Sequence, residues 1–256
     1  MAVSRSSQTT RSLQLEIPCD RISGVTSVNK FGRNAAVASG GTEEIWDGSR
    51  AYVFPTSASI THIRSAADSA ITQGVTLEVQ GLDTNWDLVI QTKATDGADS
   101  TTEVALDTAL RRVFRVKVLD DTAMDQDLWV GPDPASAANS SAIVTAGNNQ
   151  TLMAIYAVPL GKTAYITNYY ATVNPGGGAP TTLNIKLWGV DNANGYAKQL
   201  KHMLGLNANA GAYGKFQHHF DPYLKFNAQW DVYLEATTAG AAADVSAGFD
   251  LILENN

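Results

Sequence analysis

The feature of this chain that most restricts its fold is a period-two alternation of apolar and polar residues. In Phe114–Val118 the apolar residues alternate with cationic ones, and Leu183–Leu187 and Val245–Leu253 alternate in a similar way. This pattern is typical of half-buried strands, because successive side chains of a strand point to opposite faces. Turn-forming residues separate the runs, as in Asn174–Gly178 and Gly131–Pro134. The sequence therefore predicts an all-β protein of sandwich-like or jelly-roll-like units.

Helical periodicity is weak by comparison. Tyr196, Leu200, Met203 and Leu204 have the spacing of one helix face, and Gly205 could serve as a C-cap. The same run could form a strand instead. Thr102–Leu110 is a second weak helix candidate. We therefore expect little helix.

An internal repeat indicates two related β units. The series Tyr52–Pro55, Ile60–Thr61 and Gly81–Asp83 returns as Tyr156–Pro159, Ile166–Thr167 and Gly189–Asp191. The ordered recurrence of Y-x-x-P, I-T and G-[LV]-D predicts two copies of one β unit. We assign a first β domain to residues 43–130, a linker rich in Gly, Pro, Ala, Ser and Asn to residues 131–141, and a second β-sandwich domain to residues 142–256.

Residues 1–42 show no sustained period of either kind and are predicted to form an extended N-terminal arm that becomes ordered against something else. Residues 1–35 contain five cationic and two acidic side chains, or +3, which leaves −10 of the net charge of −7 for the remainder. An acidic body argues against binding of nucleic acid, whereas a basic arm suits an acidic surface such as a neighbouring subunit. A merely solvated tail is the alternative. We expect a soluble protein without a secretory signal or a membrane span.

Catalytic and cofactor signatures are absent from the sequence. It contains no phosphate-binding glycine loop, no G-x-S-x-G elbow and no H-E-x-x-H motif. Cys19 is the single cysteine, and no Cys/His spacing resembles a zinc site. His218 and His219 are adjacent, so on a strand they would point to opposite faces and could not readily hold one metal ion. We therefore predict a protein that is not an enzyme, with no cofactor and no metal, although weak calcium binding at Asp120–Asp127 stays open.

Carbohydrate binding is the main functional alternative that the residues themselves suggest. Exposed tryptophans on a β-sandwich can stack on sugars, and Trp86 and Trp129 are the candidates for such a ligand platform. Most tryptophans of a β protein lie in a core or an interface, so burial of both is the competing interpretation.

Several segments resemble virion structural proteins of tailed bacteriophages, especially marine ones. The segments are Val28–Asn34, Glu44–Gly48, Tyr52–Pro55, Gly81–Trp86, Gln150–Tyr156 and Val245–Leu253. The resemblance covers most of the chain from about residue 28. It implies a structural component of the virion. The expected role is a capsid decoration or cement protein on the head exterior, bound to the major capsid protein. A homotrimer would match a threefold position of the shell.

A partner-binding anchor is expected in the arm. Its residues are Asn29, Lys30, Phe31, Arg33 and Asn34. They combine an aromatic ring to bury with a guanidinium that can pair with a carboxylate. The alternative is that this segment is the first turn and strand of the body itself. A tail, baseplate or fibre-associated role and a carbohydrate-binding role in host attachment are the other functions that stay open.

Overall fold

The computed structural model describes residues 13–132, 136–175, 181–208 and 213–256, and it confirms the all-β fold. One short helix, α1 (Leu13–Glu16), precedes the strands in this part of the chain. The strands are β1 (Val25–Val37), β2 (Thr42–Glu44), β3 (Ile60–Ser65), β4 (Thr76–Leu82), β5 (Leu88–Ala94), β6 (Val104–Leu110), β7 (Arg112–Val118), β8 (Leu128–Gly131), β9 (Ala142–Val144), β10 (Ile155–Ala157), β11 (Lys162–Pro175), β12 (Thr181–Asp191), β13 (Gln199–Ala208), β14 (Gly214–Phe226), β15 (Trp230–Gly240) and β16 (Ala243–Asn255).

Strands β3–β8 and strands β11–β16 form two units of the same topology. The first unit has sheets in the order β6-β3-β8 and β5-β4-β7, and the second has β14-β11-β16 and β13-β12-β15. Each strand of the second unit therefore comes eight strands after its counterpart. The repeated motifs lie in corresponding strands: Ile60–Thr61 in β3 matches Ile166–Thr167 in β11, and Gly81 in β4 matches Gly189 in β12. The sequence repeat thus coincides with a repeat of strand order.

Each unit is extended by a strand that lies outside it in the sequence. β1 precedes the first unit in the chain but pairs antiparallel with β16 of the second, from Val25 opposite Glu254 to Val37 opposite Ala243. β9 lies between the two units in the sequence and pairs with β8 of the first. β2 and β10 also join the second unit through β15. The strands outside the two repeated units are therefore distributed against chain order, with β1, β2 and β10 added to the second unit and β9 to the first.

The structure differs from the extended arm predicted for residues 1–42. Residues 1–12 lie outside the described residues, but Val25–Val37 is a paired strand and Ile17 is buried. The alternation of β1 escaped the sequence pattern because its inward positions include Lys30, Gly32 and Asn34, which are not apolar. The alternative considered above, a first strand of the body, describes this segment. Strand pairing does not follow the predicted boundaries either, since β1 adds to the second unit and β9 to the first.

Both weak helix candidates are strands. Thr102–Leu110 contains β6, and the run from Tyr196 to Leu204 leads into β13. In β13, Leu204, Leu206 and Ala208 point into the core with a period of two, and the strand pairs with β12 along its length. Pairing with neighbouring strands, and not the weak helical spacing, therefore determines the secondary structure of these segments.

Two hydrophobic cores lie on opposite sides of one sheet. We call β10-β15-β12-β13 the central sheet and β1-β16-β11-β14 the outer sheet. Val232, Leu234 and Ala236 of β15 point into the core shared with the outer sheet, whereas Tyr233 between them belongs to the core of the first unit. The first unit therefore packs on the far face of the central sheet, and its contacts there determine how the two units are held together.

Candidate functional site

The five residues predicted as an anchor are divided between the two faces of β1. Asn29, Phe31 and Arg33 lie on the exposed face of the outer sheet, whereas Lys30 and Asn34 are buried on its inner face. Successive side chains of a strand alternate, so the five cannot contact one partner together. Only the three outward residues remain available as a binding surface.

The outward residues form a polar and aromatic surface with β16. The guanidinium of Arg33 donates two hydrogen bonds to the Asp244 carboxylate, at 2.9 and 2.7 Å, and this pairing raises the pKa of Arg33. The amide of Asn29 donates to the Asp250 carboxylate at 2.5 Å. Phe31 is 36% exposed and lies opposite Gly248. We call Asn29, Phe31 and Arg33 the β1 surface.

The inward residues hold β1 against its neighbours, Lys30 against β7 of the first unit and Asn34 against β2. Lys30 is only 3% exposed, and its ammonium donates a hydrogen bond to the carbonyl of Phe114 on β7. Burial, and then the charge of Arg115, hold the pKa of Lys30 well below its usual value. Asn34 donates to the Glu43 carboxylate at 2.8 Å and to the carbonyl of Glu44 at 3.3 Å. These two residues are internal joints of the fold.

A buried ion pair that the sequence did not suggest connects β7 to β15. Arg112 donates two hydrogen bonds of 2.8 Å to the carboxylate of Asp231, and both side chains are at least 95% buried. Asn192 donates a further hydrogen bond to Asp231 at 2.9 Å. The partners are 119 residues apart, so no spacing rule could have paired them.

A buried carboxylate pair lies where β2 joins β15. Glu44 of β2 is opposite Glu235 of β15, and both are buried. Lys186 and Lys198 donate to Glu235 at 3.2 and 3.1 Å, while Glu44 accepts the backbone N–H of Tyr52 at 2.7 Å. Burial first, and also the charge of Glu235, raise the pKa of Glu44. Because both groups are buried and hydrogen-bonded within the protein, the pair holds β2 on the edge of the central sheet.

The two tryptophans proposed as a sugar platform have different surroundings. Trp86 is 5% exposed, and the guanidinium groups of Arg111 and Arg112 lie 5.3 and 5.2 Å from its ring centroid. An indole covered in this way cannot stack on a sugar, so the platform hypothesis does not fit Trp86. Trp129 of β8 is half-buried, with the Arg64 guanidinium 5.8 Å from its ring. Sugar binding at Trp129 stays a prediction.

Within the described ranges, no group of three or more His, Cys, Asp and Glu residues could hold a metal ion. Asp125, in the acidic stretch considered for calcium, accepts hydrogen bonds from Ser69 at 2.6 Å and Thr72 at 2.8 Å. No helix in the described part of the chain is long and apolar enough to cross a membrane.

The described part of the chain is an all-β protein of two repeated units, and the buried Arg112–Asp231 ion pair connects the units. No protein-family model matches the chain, and no curated protein matches it. Among solved structures, infectious bursal disease virus of the Gt strain aligns with a TM-score of 0.25 and 12% identity, over 91% of this chain and 73% of that chain. The Gx strain of the same virus aligns with a TM-score of 0.23 and 11% identity, over 90% and 71%.

The clostridial cysteine protease Cwp84 after propeptide cleavage also aligns, with a TM-score of 0.18 and 8% identity, over 77% of this chain and 71% of that chain. All three TM-scores are too low for a common fold or function to be inferred.

Proposed function

We propose that this protein is a non-enzymatic structural component of a tailed-phage particle. Its proposed role is that of a capsid decoration or cement protein on the head exterior. Its partners would be the major capsid protein and further copies of itself in a homotrimer. The virion role is supported by the resemblance of Val28–Asn34, Gly81–Trp86 and Val245–Leu253 to virion proteins.

The observation that carries the proposal is the way the two units are joined. β1 extends the sheet of the second unit while Lys30 bonds to the first, and the Arg112–Asp231 pair connects the units again through the central sheet. Separating the units would break either the Lys30–Phe114 hydrogen bond or the pairing of β1 with β16, and it would expose the Arg112–Asp231 ion pair, which costs several kcal/mol. A chain of this kind suits a component that adds mechanical stability to an assembly.

The β1 surface is the proposed contact with the capsid. It presents the half-exposed ring of Phe31 between the polar side chains of Asn29 and Arg33. Aromatic residues surrounded by polar groups are frequent at the centre of protein interfaces. The exchange of Arg33 from Asp244 to a capsid carboxylate would require little energy, since exposed ion pairs contribute only about 0–1 kcal/mol.

Copy number in purified particles tests the proposed role. Quantitative gel densitometry should give a ratio to the major capsid protein that approaches one to one, or one trimer for each threefold position. A dozen copies or fewer would contradict decoration and favour the tail or a vertex. Absence from the particle would contradict a virion role altogether.

A variant pair tests the contact surface. Phe31→Ala combined with Arg33→Ala should reduce incorporation into particles, because it removes the ring and the guanidinium of the β1 surface. The matched control is Ile90→Ala, which truncates an exposed side chain of β5 in the first unit. Equal incorporation of the double variant and the control would show that β1 is not the contact.

A further inference from the structure

The two units differ in the side chains that join the edge strands of their two sheets. In each unit, the edge strand of one sheet meets the edge strand of the other: β5 meets β6 in the first, and β13 meets β14 in the second. We call these contacts the β5–β6 seam and the β13–β14 seam. Their equivalence follows from the repeated strand order.

The β5–β6 seam is closed by a neutral amide. Gln91 of β5 donates a hydrogen bond to the backbone carbonyl of Thr108 on β6 at 3.0 Å, and its carbonyl oxygen accepts the backbone N–H of the same residue at 3.0 Å. The side chain thus bonds to β6 as a neighbouring strand would. A glutamine amide does not titrate, so this contact is the same at every physiological pH.

The β13–β14 seam is closed by two histidines. The rings of His202 on β13 and His218 on β14 are stacked, with centroids 4.2 Å apart and planes 21° from parallel. The hydroxyl of Tyr169 on β11 lies 2.5 Å from Nδ1 of His202, and Phe220 packs edge-on against both imidazoles. Two imidazoles stacked this closely are compatible when they are neutral, whereas two imidazolium ions at the same distance repel each other.

The described residues around the two rings offer no compensating negative charge. Leu187, opposite His202 on β12, and Phe249, opposite Tyr169 on β16, are both apolar. Lys201, the residue before His202, is cationic and lies with its ammonium 4.6 Å from the Trp230 ring. Neither ring forms an ion pair or hydrogen bond with a carboxylate among the described residues, including Asp221 in the bulge of β14. Burial, and then the charge of His218, lower the pKa of His202.

We propose that the β13–β14 seam is a pH-responsive joint that loosens on acidification when His202 and His218 become protonated, while the β5–β6 seam of the same molecule stays closed. The proposal is independent of the proposed virion role. The sign follows from linkage: a histidine that binds protons less readily in the folded state contributes stability that is present above the ordinary histidine pKa and is lost as the pH falls below it. The consequence is local opening of the second unit below about pH 6.5.

Hydrogen exchange on the full chain tests this joint, with the first unit as an internal control. Each pKa unit of disfavoured protonation corresponds to about tenfold more opening. After correction for the intrinsic pH dependence, exchange in β13 and β14 should therefore accelerate between about pH 7.5 and pH 5. Exchange in β5 and β6 should change much less. Equal acceleration of both seams in the wild-type protein would overturn the proposal.

Substitutions assign the effect to the rings. His202→Gln and His218→Gln should each reduce the acid-dependent acceleration in β13 and β14. The matched control is His219→Gln, because His219 is exposed on the opposite face of β14 and should leave the acceleration intact. Persistence of the acceleration in both seam variants would also contradict the joint. If a seam variant does not fold, NMR titration of the wild-type protein decides: His202 must titrate below the ordinary histidine pKa, and titration at the ordinary value would reject the proposal.

Discussion

Arg112 and Asp231 form a bidentate ion pair in the interior, where β7 of the first unit meets β15 of the second. Two desolvated charges are stable there only while each has its partner. We predict that Arg112→Met or Asp231→Asn lowers the free energy of unfolding by about 3–5 kcal/mol. Either variant leaves the charge of the other residue buried without its partner. Urea denaturation measures the loss.

The control for this buried ion pair is the exposed Arg33–Asp244 pair, which also has two hydrogen bonds. Arg33→Met removes the two hydrogen bonds to Asp244 and should cost only about 0–1 kcal/mol. The double variant Arg112→Met with Asp231→Leu should recover much of the lost stability. Asp231→Leu alone completes the comparison, and a double variant as unstable as the losses of Arg112→Met and Asp231→Leu added together would show that packing, not charge, is the dominant contribution.

Lys30 is predicted to make stability depend on alkaline pH. Its pKa is lowered in the folded protein by burial, so the unfolded chain binds the proton more readily. Stability therefore rises as the pH increases from the folded pKa toward about 10.4, and is lost as the pH falls through that window. Lys30→Met should flatten this rise, as measured by urea midpoints at about pH 7 and pH 9.5. An unchanged slope would mean that the buried amine is not its source.

Asp47 is predicted to lower the stability of the protein as the pH rises, the opposite of the effect of Lys30. Burial raises the pKa of its carboxyl to about 6, and the carboxylate accepts the backbone N–H of Leu152 at 2.9 Å. A raised acid contributes stability that is present below its unfolded pKa near 4 and is lost as the pH rises through about 6. Asp47→Asn should therefore gain stability relative to the wild type between pH 4 and pH 7. Thermal unfolding at both pH values measures this gain, and a constant difference between the two proteins would contradict it.

Gly32 is required by the close approach of β1 to the backbone before β10 and after β2. A Cβ at this position would overlap the backbone of Ile45 and Ala154. Gly32→Ala should therefore destabilise the protein by about 1–3 kcal/mol, in the range of overpacked cores. Gly97→Ala is the matched control, since nothing lies within 4 Å of a Cβ there. Equal melting temperatures for the two variants would show that β1 can shift without cost.

The β content and the repeat could be predicted from the sequence because both are local patterns. The alternation of apolar and polar residues in Leu183–Leu187 indicates a strand with one buried face. The I-T and G-[LV]-D motifs lie in equivalent strands of the two units. The same rule failed for β1, whose inward residues Lys30 and Asn34 are polar. These residues are buried because Phe114, Glu43 and Glu44 supply hydrogen bonds.

The sequence by itself thus determined the class of secondary structure and its duplication, since both follow from the spacing of apolar residues along the chain. Only the tertiary structure decided which unit β1 and β9 extend, that Trp86 is covered by two arginines, and that His202 meets His218. Strand pairing, burial and ring contacts depend on distances between residues far apart in the chain. Those distances are set by the packing of whole sheets, and no local pattern encodes them.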